Sequence, residues 1–273
     1  MAEQFKVLEK QKRVLGDSDF SCARDPENIA KNRSQDVLAA DSCRAILSTP
    51  VNGRNDYINA VFLPAYQIPK AFVVTQTPLP DTVVDFWRLV YEHDIISIVT
   101  LDDVDNVYEN VGMYCPEKSE NFGPFEVKVT ESSETEYVSR RKYALTYKNM
   151  KVSDPIKHFR CKFWSALQSV GSIPALLEVI EEVDATRQET GSGRPVLVHC
   201  RDGFTRSGLY CAASSVIAGI KLDQEVVIPR IVRQMRLNRP EIITDLDQFR
   251  FLFDVVWEYL DNFRAYANFQ STK

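Results

Sequence analysis

The chain has 273 residues, 44% of them hydrophobic, and its 33 basic and 38 acidic side chains leave a formal charge of -5. There is ample apolar material for a sizeable core, no basic block that would track a nucleic-acid backbone, and no run near the roughly 20 apolar residues a membrane helix needs. The N-terminal stretch MAEQFKVLEKQKRV lacks the apolar run of a signal peptide, and the six cysteines at 22, 43, 115, 161, 200 and 211 show no paired C-x-x-C spacing. These features read as a soluble globular chain with reduced thiols in the cytosol, with no metal centre, no cofactor and no nucleic-acid partner.

No internal repeat or low-complexity segment divides the chain, so one domain over 1–273 is expected, with a helical N-terminal arm over 1–40 and a core over 41–273. In the arm, Phe5, Leu8, Val14 and Leu15 recur at helical spacing. DYINAVFL and KAFVVTQ then read as strands, TVVDFWRLVYEH as a helix and IISIVTL as a buried strand. Between Phe125 and Phe163 the segments FEVKVTESS, EYVSRRKYALTYKN and IKHFRCKFW carry β-branched and aromatic residues at alternate positions, which predicts an antiparallel meander. A helix over Ile173 to Arg187, the buried strand RPVLVHC, a helix from about Arg206, and two more over Asp223 to Leu237 and Asp245 to Phe263 complete the chain. In the last helix Phe249, Phe251, Phe253 and Trp257 read as core. The class is α+β: a twisted mixed sheet flanked by helices.

One loop stands out. The run VLVHCRDGFTRSG ends a strand at Cys200 and meets Arg206 at a helix start six residues later. Such a loop can curl its backbone N–H groups onto one anion, with the helix N-terminus and the Arg206 guanidinium adding positive charge. The same field favours a Cys200 thiolate, an in-line nucleophile on phosphorus, and the Ser207 hydroxyl can support that sulfur as it leaves. A bare C-x5-R spacing is weak evidence; His199, the apolar strand, Gly203 and Ser207 strengthen it.

Here the chain resembles the protein tyrosine phosphatases, through KNRSQDV (31–37), DYINAVF (56–62), TQTPLPDTVVDFWRLVYE (75–92), YCP (114–116), VHCRDGFTRSG (198–208) and DQFRF (247–251) in order. The resemblance implies a single phosphatase domain with a Cys-containing phosphate loop between a strand and a helix. It also implies what is missing. In FWSALQSVG, Trp164 is kept, but Ser165 and Ala166 stand where the family has proline and its general-acid aspartate, and such an acid is worth roughly 10² to 10⁴ in rate. Asp154 reads as a turn residue before Pro155, and Asp202, inside the loop, would repel a phosphate dianion; neither replaces the acid.

Further departures point the same way. Ser34 stands where the family packs an aromatic ring on the substrate, and Thr244 where it has a water-positioning glutamine, although Gln248 matches the later glutamine of that motif. Arg201, Asp202 and Thr205 replace small loop residues, so the loop around Gly203 and Phe204 is expected to be altered, a β-branched residue resisting conformations open to glycine. Asp36 reads equally as a holder of a phosphotyrosine peptide and as a turn cap. Asn32 and Arg33 read as residues fixing the recognition segment to its neighbours, Tyr57 and Asn59 as supports of the cysteine loop and core, His199 as a residue tuning Cys200 from beneath, and Trp164 as a packing anchor.

The pattern is similar to the second, membrane-distal domain of tandem receptor-type phosphatases, particularly the type with meprin-like ectodomains or the alpha/epsilon type. That implies a catalytically silent or strongly impaired domain in the cytoplasmic part of a single-pass plasma-membrane receptor. Its partners would be an adjacent catalytic domain or other signalling proteins, and phosphotyrosine peptides. Two alternatives stay open: a slow but genuine phosphatase working through Cys200, and a redox-responsive module working through the same thiol.

Overall fold

A computed structural model describes residues 1–101, 110–148, 150, 153–164, 172–191 and 193–270, with side chains to residue 262. Its elements, in order, are α1 (Ala2–Lys10), β1 (Arg44–Ile46), β2 (Tyr57–Ala65), β3 (Ile68–Gln76), α2 (Val83–Glu92), β4 (Ser97–Thr100), β5 (Ser119–Phe122), β6 (Phe125–Glu134), β7 (Val138–Tyr147), β8 (Ile156–Cys161), α3 (Ile173–Thr190), β9 (Val196–Cys200), α4 (Thr205–Asp223), α5 (Ile228–Arg236) and α6 (Leu246–Gln270). The strands form one sheet in the order β1-β2-β3-β9-β4-β8-β7-β6-β5. β3, β9, β4 and β8 run parallel, and the flanking pairs are antiparallel. The class is therefore α+β with a mixed sheet, and the meander over 125–161 is antiparallel.

β9 lies at the centre, between β3 and β4, and is buried over its whole length. Alternation along it decides the site. Val196, Val198 and Cys200 face the larger core, built with α1, α3, α4, α5 and α6, whereas Leu197 faces the smaller core on α2. His199 follows Leu197 to that side, edge-on to Phe86 of α2 with ring centroids 5.6 Å apart. Because side chains on a strand point alternately to opposite faces, adjacent residues 199 and 200 are delivered to opposite layers.

Several expected boundaries shift for local reasons. α1 ends at Lys10, so Val14 lies outside it and is 92% exposed. The helix expected over Asp223 to Leu237 begins only at Ile228. α4 runs on to Asp223 and stops at Gln224, which takes a left-handed φ of 57°, and α5 begins only at Ile228, with Pro229 in its first turn. β5, whose sequence SENF is exposed at three of four positions, carries no apolar alternation and was not foreseen. In α6, Phe249 and Phe251 are buried, but Trp257 is 67% exposed, which corrects its reading as core. The buried line runs through Phe249, Leu252 and Val256, and the next residue, 100° further round the helix, faces away.

Candidate functional site

The parallel strands β3, β9 and β4 end together, and the chain turns from β9 into α4 at that edge, the usual place for a ligand site in parallel sheets. The turn depends on Gly203. Its φ is +74°, and a Cβ there would lie 2.7 Å from the Gln76 nitrogen and 2.8 Å from the Thr75 carbonyl carbon, so only glycine fits. Its amide donates to the Cys200 carbonyl at 3.2 Å, which also accepts from the Thr77 amide at 2.8 Å.

Cys200 is buried, and the Ser207 hydroxyl donates to its Sγ at 3.0 Å. Arg206 is half-buried, and its Nη1 donates to the carbonyls of Leu101 (2.9 Å) and Trp164 (3.3 Å). The Cys200–Ser207–Arg206 frame is therefore assembled, and Arg206 ties the end of β4 to the chain after β8.

What fills the loop is its own side chain. Asp202 Oδ1 accepts from the amides of Phe204 (2.9 Å) and Thr205 (3.0 Å) and from Cys200 Sγ (3.1 Å), while Oδ2 accepts from the Thr205 hydroxyl (2.6 Å). Burial pushes this carboxyl up. The hydrogen bonds from Thr205, Phe204 and Cys200 outweigh it and hold the group below its ordinary range, so it is a carboxylate at neutral pH. A negative group at the start of α4 is further favoured by the helix dipole. Two loop N–H groups thus already hold an anion, and the Cys200 thiol spends its proton on that anion. Thr205, read as a source of distortion, adopts ordinary helical geometry as the first residue of α4 and is the hydroxyl that holds Asp202. Arg201 is exposed, and Phe204 half-buried.

Beneath Cys200 lies a buried polar chain. His199 Nδ1 is 3.2 Å from Thr77 Oγ1, and its Nε2 lies 2.7 Å from Thr100 Oγ1 and 3.1 Å from the Tyr114 hydroxyl. Thr100 Oγ1 also reaches His158 Nε2 at 2.8 Å, and His158 Nδ1 meets the Tyr143 hydroxyl at 3.1 Å. Burial, with Arg160 nearby, lowers His199 to about 3, and burial followed by the charge of His199 keeps His158 well below its ordinary value. Both rings are neutral. Through Thr100 they join β4, β8 and β9, and neither ring carries a positive charge. His158 and Thr100 were missed because their partners are set by strand pairing and leave no local pattern.

The segment 31–37 is tied down firmly. Asn32 is buried; its Oδ1 accepts from the Tyr57 hydroxyl (2.6 Å) and Asn59 Nδ2 (3.0 Å). Gln76, directly beside Cys200 in the β3–β9 register, accepts from the Arg33 amide and donates to the Lys31 carbonyl, both at 3.0 Å. Arg239, fully buried, donates to the Leu38 carbonyl at 2.9 Å and reaches the Gly203 carbonyl at 3.5 Å. Gln76 and Arg239 join this segment to the cysteine loop, and neither was singled out from sequence. Ser34 is half-buried, with Oγ accepting from the Asp36 amide at 3.1 Å, and the Asp36 side chain is exposed.

Gln248 is buried and its Oε1 accepts from the exposed Thr244 amide at 3.1 Å, so its side chain is engaged within its own turn. That turn leans on α4: a Cβ on Gly208 would lie 2.8 Å from Ile242 Cγ2. Trp164 is buried against Phe163 and Phe251, as a packing anchor would be. Asp154 is paired with Arg194 at 2.6 Å. Ser165 and Ala166, which the resemblance places where the family has proline and its acid, lie outside the described residues.

Among the described residues no group of three or more His, Cys, Asp or Glu could hold a metal ion, and no helix is long and apolar enough to cross a membrane. The family model for the protein-tyrosine phosphatase matches residues 28–258. The chain is 33% identical over 268 residues to receptor-type tyrosine-protein phosphatase U of Gallus gallus, covering 96% of this chain and 19% of that protein. It is 29% identical over 273 residues to receptor-type tyrosine-protein phosphatase alpha of Homo sapiens (99% and 34%), and 32% identical over 254 residues to the epsilon type of Mus musculus (90% and 36%). This chain spans between 19% and 36% of the length of these relatives. With a family model matching most of its length and relatives of this identity, the chain belongs to the protein-tyrosine phosphatase family.

Proposed function

We propose that this chain is a phosphatase-family module with strongly impaired or absent turnover, acting by binding and regulation. The observation that carries this reading is the Asp202 carboxylate, which takes the Phe204 and Thr205 amides and the Cys200 thiol proton that a substrate phosphate and a thiolate nucleophile would require. Ala166 in place of an acid and Ser34 in place of a ring support it from sequence. The resemblance to receptor-type phosphatases much longer than this chain supports a place on the cytoplasmic side of such a receptor, with a neighbouring catalytic domain, other signalling proteins or phosphotyrosine peptides as partners.

A slow phosphatase is the second reading, favoured by the Ser207 hydroxyl at 3.0 Å from Cys200 Sγ. Steady-state assay on an aryl phosphate with a good leaving group separates the two, because such a substrate needs little acid assistance. No turnover above a Cys200→Ser control is expected. Turnover that Cys200→Ser abolishes overturns the first reading in favour of the second.

A further inference from the structure

On β7 and β8, and just after β8, four of the six lysine and arginine side chains are matched to a carboxylate. Arg140 pairs with Glu178 and Glu182, Lys142 with Glu131 at 2.6 Å, Lys157 with Glu189 at 3.0 Å, and Lys162 with Glu134 at 2.7 Å. Arg141 and Arg160 are the exceptions: among the described residues neither has a carboxylate within ion-pair distance. Arg141 Nη1 donates to the Pro116 carbonyl at 3.0 Å.

These two arginines share a hollow with Cys115, Ser139 and His158. The register explains why. Ser139 stands opposite Arg160 and Arg141 opposite His158, so all four side chains leave the sheet on one face. The hollow shares Arg141 and His158 with a wider groove of about 230 Å³. The carboxylates lining that groove, Glu131 and Glu182, are already committed to Lys142 and Arg140, and Glu134, which also feels Arg141, is tied to Lys162. Burial keeps the Cys115 thiol up and His158 neutral, so neither adds a negative charge to the hollow or a third positive one.

We propose that the mouth of this hollow, itself only about 20 Å³ but meeting the wider groove at Arg141 and His158, is a second anion site, separate from the Cys200 loop, which takes a tetrahedral oxyanion of the phosphate type. Two guanidinium forks and the Ser139 hydroxyl supply directed donors to a dianion, and a bound anion would relieve the repulsion between two unmatched cations. The site is wired to the first: His158 reaches His199, and so the residue before Cys200, through Thr100 by contacts of 2.8 and 2.7 Å. The anion can arrive as free phosphate or as the phosphoryl group of a peptide.

The test is titration of the whole chain with inorganic phosphate at low salt, followed through the ring ¹⁵N resonances of His158. A saturable shift by about 20 mM, with affinity at least about tenfold weaker in Arg141→Gln/Arg160→Gln, is expected. The single change Arg160→Gln, on a half-buried strand position, serves if the double variant does not fold. No shift at His158, or the same affinity in the variants, overturns the proposal. A phosphoserine peptide titrated in parallel tells the sources apart: affinity well above that of inorganic phosphate assigns the site to a phosphopeptide, and equal or weaker affinity to the free ion.

Discussion

Asp202 Oδ1 lies 3.1 Å from Cys200 Sγ, so the group that would attack phosphorus donates its proton to a carboxylate two residues away in the same loop. The contact matters because that carboxylate also occupies the Phe204 and Thr205 amides, which a bound phosphate would need. One carboxylate thus engages both the loop amides and the thiol.

Removing the carboxylate should reopen the loop. Asp202→Ala is expected to bind vanadate or tungstate at least about tenfold more tightly than the native chain, since the entering anion no longer displaces an internal charge. The start of α4 loses its cap in exchange, at about 0.5–2 kcal/mol. Anion titration and thermal melting of the same sample read both effects. Unchanged anion affinity would mean that Asp202 is not what closes the loop.

Restoring the family acid alone should achieve little. Ser165→Pro with Ala166→Asp is expected to raise aryl phosphatase turnover only slightly, whereas adding Asp202→Ala should raise it by roughly 10² or more, and Ser34→Tyr further on a tyrosine phosphate. If the combined variant stays silent, the loop is misformed beyond Asp202.

Peroxide gives an independent measure of the thiol. Cys200, buried and donating to a carboxylate, is expected to oxidise no faster than the half-buried Cys22 or Cys43, and to become the faster one in Asp202→Ala. Mass spectrometry after mild treatment reads the three sites side by side. Rapid oxidation of native Cys200 would instead support the redox reading.

Stability should decline in mild acid. His199 is held neutral, its pKa lowered by burial from 6.5 to about 3, so its contribution is complete above the unfolded value and is lost as pH falls from about 6.5 toward about 3. Asp202, depressed below its ordinary 3.8, contributes fully above that value and loses its share only as pH falls further. Urea unfolding from pH 8 to pH 3 should therefore show an earlier loss that is reduced in His199→Gln and a later one that is reduced in Asp202→Asn. An unaltered profile in His199→Gln would contradict the neutral assignment.

The turn itself has one permitted residue. Gly203→Ala would force a side chain to a φ of +74° and to within 2.8 Å of the β3 backbone, so a loss of about 2–4 kcal/mol is expected in urea unfolding. Gln76→Leu, which removes both clamps on residues 31 and 33, should cost about 1–3 kcal/mol and loosen that segment to proteolysis.

Much of this was legible in the chain. Alternation in VLVHC sends Cys200 and His199 to opposite faces whatever the rest of the fold does, and Gly203 and Arg206 at their spacings make a loop into a helix. The resemblance to the phosphatases and the loss of acid and ring at Ala166 and Ser34 were also there to be read. Tertiary structure alone decided that Asp202 turns inward onto Phe204 and Thr205, that Gln76 stands beside Cys200, that His158 reaches His199 through Thr100, and that Arg141 and Arg160 share a hollow with no acid among the described residues that line it. The reason is physical. Periodicity assigns a side chain to a face, but its neighbour on that face comes from another strand, and the register that joins residues 60 to 124 positions apart is set by the packing of the whole sheet.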